Sequence, residues 1–459
     1  MDISKTNFIT AREAAFTVLR QIEEEAAYAN LAWAAFLRRH AVEPRERMLA
    51  TEIIYGSVRM RLALDHMLAQ FLSKSIEELM PEARTILRLS LYQLHFMGGG
   101  KPYAVVDQAV ELAKKHANPP LARLVNAVLR NYLRREGKNL LPDERDLRQY
   151  LHISESYPLW LVDYLLEHYG AKQAKSFCRS GNEHSGIYLR ANTLKASAVE
   201  LMQLLDSEGY TARISGPAPE TLILERGLGL MENRLFKEGY FMVQGAASQL
   251  AAHALSPQLR SNVIDLCAAP GGKATHMAAL MENSGELHAF DIHEHKLRLI
   301  ADNSRRLGLD IVKPVLGDGA ALPSEYTEWA DYLLLDAPCS GLGVLASRPD
   351  LRWHKQATDI KKLADVSLAL LVKAASYVKP GGYLCYTTCT ITEEENGGNI
   401  SRFLQASKGF TLAPMEKLAS VLEESDYKKA ALSGQVQLFP GPVVKEGFFL
   451  ALLQKEARA

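Results

Sequence analysis

Cysteine is scarce in this chain. Five cysteines in 459 residues, an odd number without paired spacing, argue against a disulfide framework and against a zinc site; no metal is expected and a reducing, cytoplasmic setting fits. Excess charge is lacking too: 53 Lys and Arg balance 53 Asp and Glu, so nothing global marks a nucleic-acid partner and any basic surface must be local. No apolar run reaches the roughly 20 residues that span a bilayer, and the N-terminus lacks the basic-then-apolar pattern of a signal peptide, so no membrane or targeting segment is expected. Internal repeats and low-complexity tracts are missing as well. The absence of a Gly-x-Gly-x-x-Gly run counts against a nicotinamide dehydrogenase. Apolar residues are plentiful at 47%, enough for two or three ordinary domains, each with its own core.

One stretch organises the rest: Asn262-Val263-Ile264-Asp265-Leu266-Cys267-Ala268-Ala269-Pro270-Gly271-Gly272-Lys273. A short apolar run, a turn with paired glycines and a helix-forming segment from Lys273 to Met281 predict strand, tight loop and helix. Glycines let the backbone approach a ligand, and a helix start presents unpaired N–H groups to it. Alone, the loop reads better as an ordinary βα turn.

Before it, residues from about Thr10 to Leu133 have helical periodicity almost throughout, predicting an all-helical domain over 1–140. Periodicity alone fits a scaffold as well as a binding module. Arg123, Arg130, Arg134, Arg135 and Lys138 cluster along the last helix and its exit, where they would suit phosphate contacts or form a solvated charged face. The polar stretch between about Gly137 and Glu155 reads as a linker. A helix near Pro158 to Tyr169, strands at 187–191, 210–214 and 221–224 and a helix at 198–208 then predict a small α/β module over 150–240. From 241 to 459 strands and helices alternate, which predicts a doubly wound parallel sheet with ligands at the carboxyl ends of its strands. Asp265, Asp291, Asp318 and Asp336 all fall at such ends. Asp291 lies about twenty residues past the glycines, where a carboxylate can bind ribose hydroxyls. Singly each aspartate could be a cap or turn residue; their joint placement favours a site.

Cys178, Cys385 and the Cys267 thiol read as small buried hydrophobes. Cys339 and Cys389 differ, because each ends a strand on the ligand edge and those strands are neighbours in the usual order. The segments Ala11-Arg12-Glu13-Ala14-Ala15, Leu87-Arg88-Leu89-Ser90-Leu91-Tyr92-Gln93-Leu94 and Leu124-Val125-Asn126-Ala127-Val128-Leu129-Arg130 resemble the RNA-binding fold of the antitermination factor NusB. Cys267-Ala268-Ala269-Pro270-Gly271-Gly272-Lys273, Asp336-Ala337-Pro338-Cys339-Ser340, Arg348-Pro349-Asp350, and Thr388-Cys389 followed by Glu395-Asn396 resemble the RNA cytosine-C5 methyltransferases. With the helical domain in front, nearly the whole chain resembles the bacterial ribosomal small subunit methyltransferase B family.

The resemblance implies a Rossmann-like class I methyltransferase domain that binds S-adenosyl-L-methionine. It places Cys267, Ala268, Ala269, Pro270, Gly271, Gly272 and Lys273 at the methionine end, Asp291 on the ribose, Asp318 near the adenine and Asp336 in the pocket. It further implies methylation of cytosine C5 in 16S rRNA, with RNA as partner and a monomeric enzyme expected. Cys389 is then the nucleophile that adds to C6, and Cys339 is the base that completes elimination. The same reaction on tRNA or 23S rRNA, and a non-catalytic RNA-binding assembly factor, are the alternatives. Three positions depart from the family pattern: Thr390 in place of serine, Gly245 in place of aspartate, and Ala274 in place of threonine.

Overall fold

The computed structural model describes residues 9–98, 101–135, 139–183, 186–225, 227, 229–441 and 444–458. It divides into two compact units: Met1–Asn182 with Ser347–Lys355, and Glu183–Ala346 with Gln356–Ala459.

The first unit is all helical. Its main helices are Ala11–Glu25, Ala29–Arg39, Pro44–Arg59, Arg61–Ala69, Pro81–Tyr92, Pro102–His116, Pro119–Arg134 and Leu159–Ser180. Local chemistry sets their starts. Four of them open on proline, whose fixed φ and missing N–H suit the first helical position, while Thr10 and Asn118 accept from the N–H groups of Glu13 and Leu121. On Pro119–Arg134 the buried residues Ala122, Val125, Val128, Leu129 and Tyr132 share one face, leaving Arg123, Arg130, Arg134 and Arg135 exposed. Lys138 and Gly137 lie outside the described residues.

The stretch read as a linker is packed, not a free connection. Leu140 and Leu151 are buried, Ser156 Oγ accepts from Leu62 N–H at 3.0 Å, and Gln70 Nε2 donates to Leu140 O at 2.8 Å. Its polar residues misled because the few leucines that anchor it are spaced too widely to show a period. Residues 347–355 join this unit as well. Arg352 is fully buried and donates to Ser156 O and Gly181 O, and Asp350 accepts from Ala29 N–H at 2.9 Å.

The second unit holds two sheets. Strands β1 (Ile187–Ala191), β2 (Ala212–Ile214), β3 (Thr221–Leu224) and β4 (Phe241–Val243) form an antiparallel sheet in the order β2-β3-β1-β4. The larger sheet comprises β5 (Asn262–Leu266), β6 (Glu286–Asp291), β7 (Val312–Leu316), β8 (Ala330–Asp336), β9 (Val378–Thr388), β10 (Phe410–Leu412), β11 (Gln435–Leu438) and β12 (Phe448–Lys455). Strands β7-β6-β5-β8-β9 run parallel in that spatial order. Antiparallel β12 covers β9, and β10 and β11 both pair with β12. Apolar side chains fill both faces of the central strands, as parallel strands covered on both sides require. Successive strands are added on one side of β5 (β6, β7) and then on the other (β8, β9), so the crevice for a ligand opens at the carboxyl ends of β5 and β8.

Candidate active site

The loop after β5 is shaped by its backbone. Gly271 has φ 95°, and a Cβ there would come within 3.2 Å of Ile300 Cα, so only glycine fits without displacing the neighbouring helix. Ala268 N–H donates to Phe290 O at 2.8 Å, tying the loop to β6, and Asn303 Nδ2 donates to Pro270 O at 3.0 Å. The helix Gly272–Leu280 begins at the loop's end without a side-chain cap, leaving its first N–H groups available to a ligand. Below the loop, Asp265 is wholly buried and neither carboxyl oxygen meets a donor at hydrogen-bond geometry among the described residues. Burial and then the nearby Asp336 charge push its pKa well above the usual carboxylate range, with only partial compensation from Lys273 and the Ala274 N–H. A glycine cradle over an unsatisfied buried carboxyl, with further acids on adjacent strand ends, fits a polar, amine-bearing cofactor.

The predicted aspartates take different places. Asp291 is buried and accepts from His293 N–H at 3.0 Å, with Lys296 Nζ at 3.8 Å. Asp318 stands on an exposed turn, accepting from Ala320 N–H at 2.9 Å. Asp336 pairs with Lys273 Nζ at 2.6 Å and accepts from Thr387 Oγ1 at 3.0 Å. Burial alone would lower the Lys273 pKa, but Asp336 outweighs it and the net shift is upward. The ammonium therefore stays charged in the pocket, where it also feels Cys389.

The strand neighbours β8 and β9 deliver the two cysteines to one point. Cys339 Sγ and Cys389 Sγ are 3.4 Å apart. The hydrogen bond to Cys389, followed by burial, raises the Cys339 pKa well above that of a free thiol. The two sulfurs are within hydrogen-bonding distance, and either can be the donor. Cys267 is different: burial, then Asp336, pushes its thiol up to about 12, which makes it unreactive. Cys178 and Cys385 are buried and likewise raised by burial.

A buried polar frame holds the cysteine loops. Glu395, fully buried, accepts from Ser340 N–H at 2.7 Å, Ser340 Oγ at 2.6 Å and Thr392 Oγ1 at 2.5 Å. Asn396 Oδ1 accepts from Thr388 Oγ1 at 2.5 Å, and its Nδ2 donates to Thr390 O. Thr390 Oγ1 meets Ser340 Oγ at 2.7 Å, so threonine keeps the hydroxyl that serine would supply there. At Gly245, an added Cβ would fall 2.0 Å from Glu446 Oε1. Glu446 accepts from Ala247 N–H at 3.0 Å at the start of the helix Ala246–Leu255, and so supplies the carboxylate that Gly245 lacks. Ala274 is fully buried.

Sequence reasoning did not single out Glu446, Arg190, Glu220 or His276. Each acts across a long chain separation, so no local spacing signals it; a buried-charge pattern on a strand, such as Arg190 within Ile187–Ala191, was the one clue available.

Residues 252–454 match the family described as 16S rRNA methyltransferase RsmB/F, residues 157–230 the ferredoxin-like domain of the RsmF/B-like methyltransferases, and residues 9–134 the NusB family. The probable ribosomal RNA small subunit methyltransferase B of Synechocystis sp. is 36% identical over 456 residues, covering 97% of this chain and 100% of that protein. The solved structure of PH0851 superposes with a TM-score of 0.80 at 30% identity, covering 98% of this chain and 100% of that one. NSun6 from Pyrococcus horikoshii, solved with the S-adenosylmethionine analogue SFG, gives a TM-score of 0.58 at 27% identity over 66% of this chain and 100% of its own. The chain therefore belongs to the ribosomal RNA small subunit methyltransferase B family, whose members methylate RNA with S-adenosylmethionine.

Proposed function

We propose that the chain methylates C5 of a cytosine in 16S rRNA through a covalent bond between Cys389 and C6 of the base. The observation that carries this reading is the pair of sulfurs 3.4 Å apart at adjacent strand ends, beside a cradle suited to the cofactor. On this reading residues 267–273 and Asp291 hold S-adenosylmethionine, with Asp318 at its adenine end and Asp336 facing the pocket.

C5 of cytosine is a weak nucleophile, so a thiolate must first add at C6 to raise its electron density. S-adenosylmethionine, when bound, would supply the electrophilic methyl group that C5 then takes. The Lys273 ammonium interacts with Cys389 and so lies beside the attacking sulfur. The pairing also sets an order of events. Before addition the Cys389 sulfur stands against Cys339, and this contact raises the Cys339 pKa. Once that sulfur is bonded to C6 the contact no longer holds the Cys339 proton; Cys339 then loses its own proton to solvent and, as the thiolate, takes the proton from C5. Elimination of Cys389 follows. The target base has to be unpaired or flipped to reach this point, at a cost of a few kcal/mol.

The test is transfer of a labelled methyl group to unmodified 16S rRNA, 23S rRNA and tRNA, followed by bisulfite mapping of the product. Label confined to one 16S cytosine is the expected result. Label in tRNA or 23S rRNA alone would redirect the substrate, and label at a position other than C5 would overturn the chemistry.

A further inference from the structure

The small antiparallel sheet and the cofactor loop are joined by a buried guanidinium that the reaction itself does not use. Arg190, at 2% exposure on β1, donates through Nη1 to Gly272 O and Gln244 Oε1 and through Nη2 to Thr275 Oγ1 at 3.0 Å. Thr275 Oγ1 in turn donates to Gly271 O at 2.7 Å. The carbonyls of both glycines therefore lead to one side chain, the first through Thr275 and the second directly. Burial lowers the Arg190 pKa to about 9, even with Glu220 opposing the shift. A charge kept in that place at such expense requires a compensating role.

The same helix is gripped again one turn on. Glu220, just before β3 and at 3% exposure, lies 2.5 Å from His276 Nε2 and 2.8 Å from His253 Nε2. His253 is hydrogen-bonded to Glu220, while the His276 contact is a close approach without hydrogen-bond geometry; Arg190 and Glu220 also attract each other. Two residues past Arg190, Asn192 Nδ2 donates to Gly239 O and to Leu307 O, at 2.9 and 2.8 Å. That second link fixes the end of the helix Glu294–Leu307, which also carries the Asn303 that holds Pro270 O. The loop 267–272 is thereby held from both flanks.

We propose that Arg190 is a positioning residue for the cofactor: its planar fork fixes the peptide planes of Gly271 and Gly272, and so the direction of the N–H groups that face the methionine end. This rests on the reading of residues 267–273 as the cofactor cradle. A lysine would keep the charge and lose the fork.

Isothermal titration of S-adenosylmethionine into the full-length protein tests it, alongside KM for cofactor and RNA and kcat at saturating cofactor. Arg190→Met should weaken cofactor binding about tenfold or more, with RNA affinity unchanged. Arg190→Lys should fall between it and the parent, and Thr275→Val should move in the same direction. Asp291→Asn reports on the cradle itself. If it weakens cofactor binding while Arg190→Met and Thr275→Val leave it unchanged, the positioning role is wrong and the cradle stands. If all of them bind normally, the cradle reading fails. Should Arg190→Met not fold, Thr275→Val decides: normal cofactor affinity overturns the proposal. Equal loss of cofactor and RNA affinity in Thr275→Val would mean general structural damage, and would overturn it too.

Discussion

Gly245 begins the helix Ala246–Leu255 without a side chain to offer its N–H groups, and Glu446 reaches in from the segment before β12 to accept from Ala247. Burial raises the Glu446 pKa, so its carboxylate is held at a cost that the helix N-terminus partly offsets. A second carboxylate there would have no room, since an added Cβ already falls 2.0 Å from Glu446 Oε1. Gly245→Asp is therefore expected to destabilise the protein by about 1–3 kcal/mol, and Gly245→Asp with Glu446→Ala to regain most of the loss. Urea unfolding of the two variants checks this; Gly245→Asp as stable as the parent would contradict it. At this scale the sequence was informative about identity and silent about partners. It marked Thr390 and Gly245 as departures, yet only the fold shows that Thr390 preserves a hydroxyl contact with Ser340 and that the acid missing at 245 is supplied at 446.

The helix Gly272–Leu280 carries both the cradle's last residues and a buried histidine. His276 is held neutral: burial first, and then the Arg190 charge, lowers its pKa from 6.5 to about 4, against the pull of Glu220. Glu220 is shifted down as well, because its interactions with His253 and His276 outweigh the burial that would raise it. Both native pKa values lie below the unfolded ones. The stability they contribute is thus complete above the unfolded value of each group and is lost as pH falls toward the native value. For His276 that window runs from 6.5 down to about 4. The thermal midpoint should fall across it, and His276→Gln, though less stable near neutrality, should lose less on the way down. Parallel pH dependences in parent and variant would contradict the assignment. Strand-and-helix alternation made the parallel half of the large sheet readable, since β5, β6, β7 and β8 each end on or within two residues of an acid or cysteine. The antiparallel strands β10 to β12 were not readable. Phe448–Lys455 is apolar almost throughout, a pattern that periodicity cannot separate from a buried helix.

For the whole molecule, the chain leaves the second unit after Ala346, spends nine residues in the helical unit, and returns at Gln356. Arg348-Pro349-Asp350 could be read as a motif but not as a crossing, because the contacts of Arg352 and Trp353 with residues 58, 156 and 181 join positions 171 to 295 residues apart. A truncation of the helical residues would leave those groups without partners, so point changes are the better probe of RNA binding. Arg123 and Arg130 are exposed along a groove of about 710 Å³ that Lys114, Asn126 and the acids Asp107 and Glu111 also line, Glu111 being paired with Lys114. Replacing both arginines by glutamine should weaken RNA binding and reduce the slope of log affinity against log salt by roughly 1.4–1.8 if each neutralises one phosphate. Cofactor affinity should stay the same. Filter binding across a salt series measures it, and an unchanged slope would remove these residues from the interface.

The account stands or falls on the division of labour between the two sulfurs 3.4 Å apart. Incubating each cysteine variant with unmodified RNA and S-adenosylmethionine, then resolving the mixture on a denaturing gel, tests that division directly. Cys339→Ala should add to the base and accept the methyl group but stall before elimination, leaving a covalent protein–RNA band. Cys389→Ala and the double variant should leave none. A band from Cys389→Ala would reverse the two roles, and full turnover by Cys339→Ala would show that another group removes the proton.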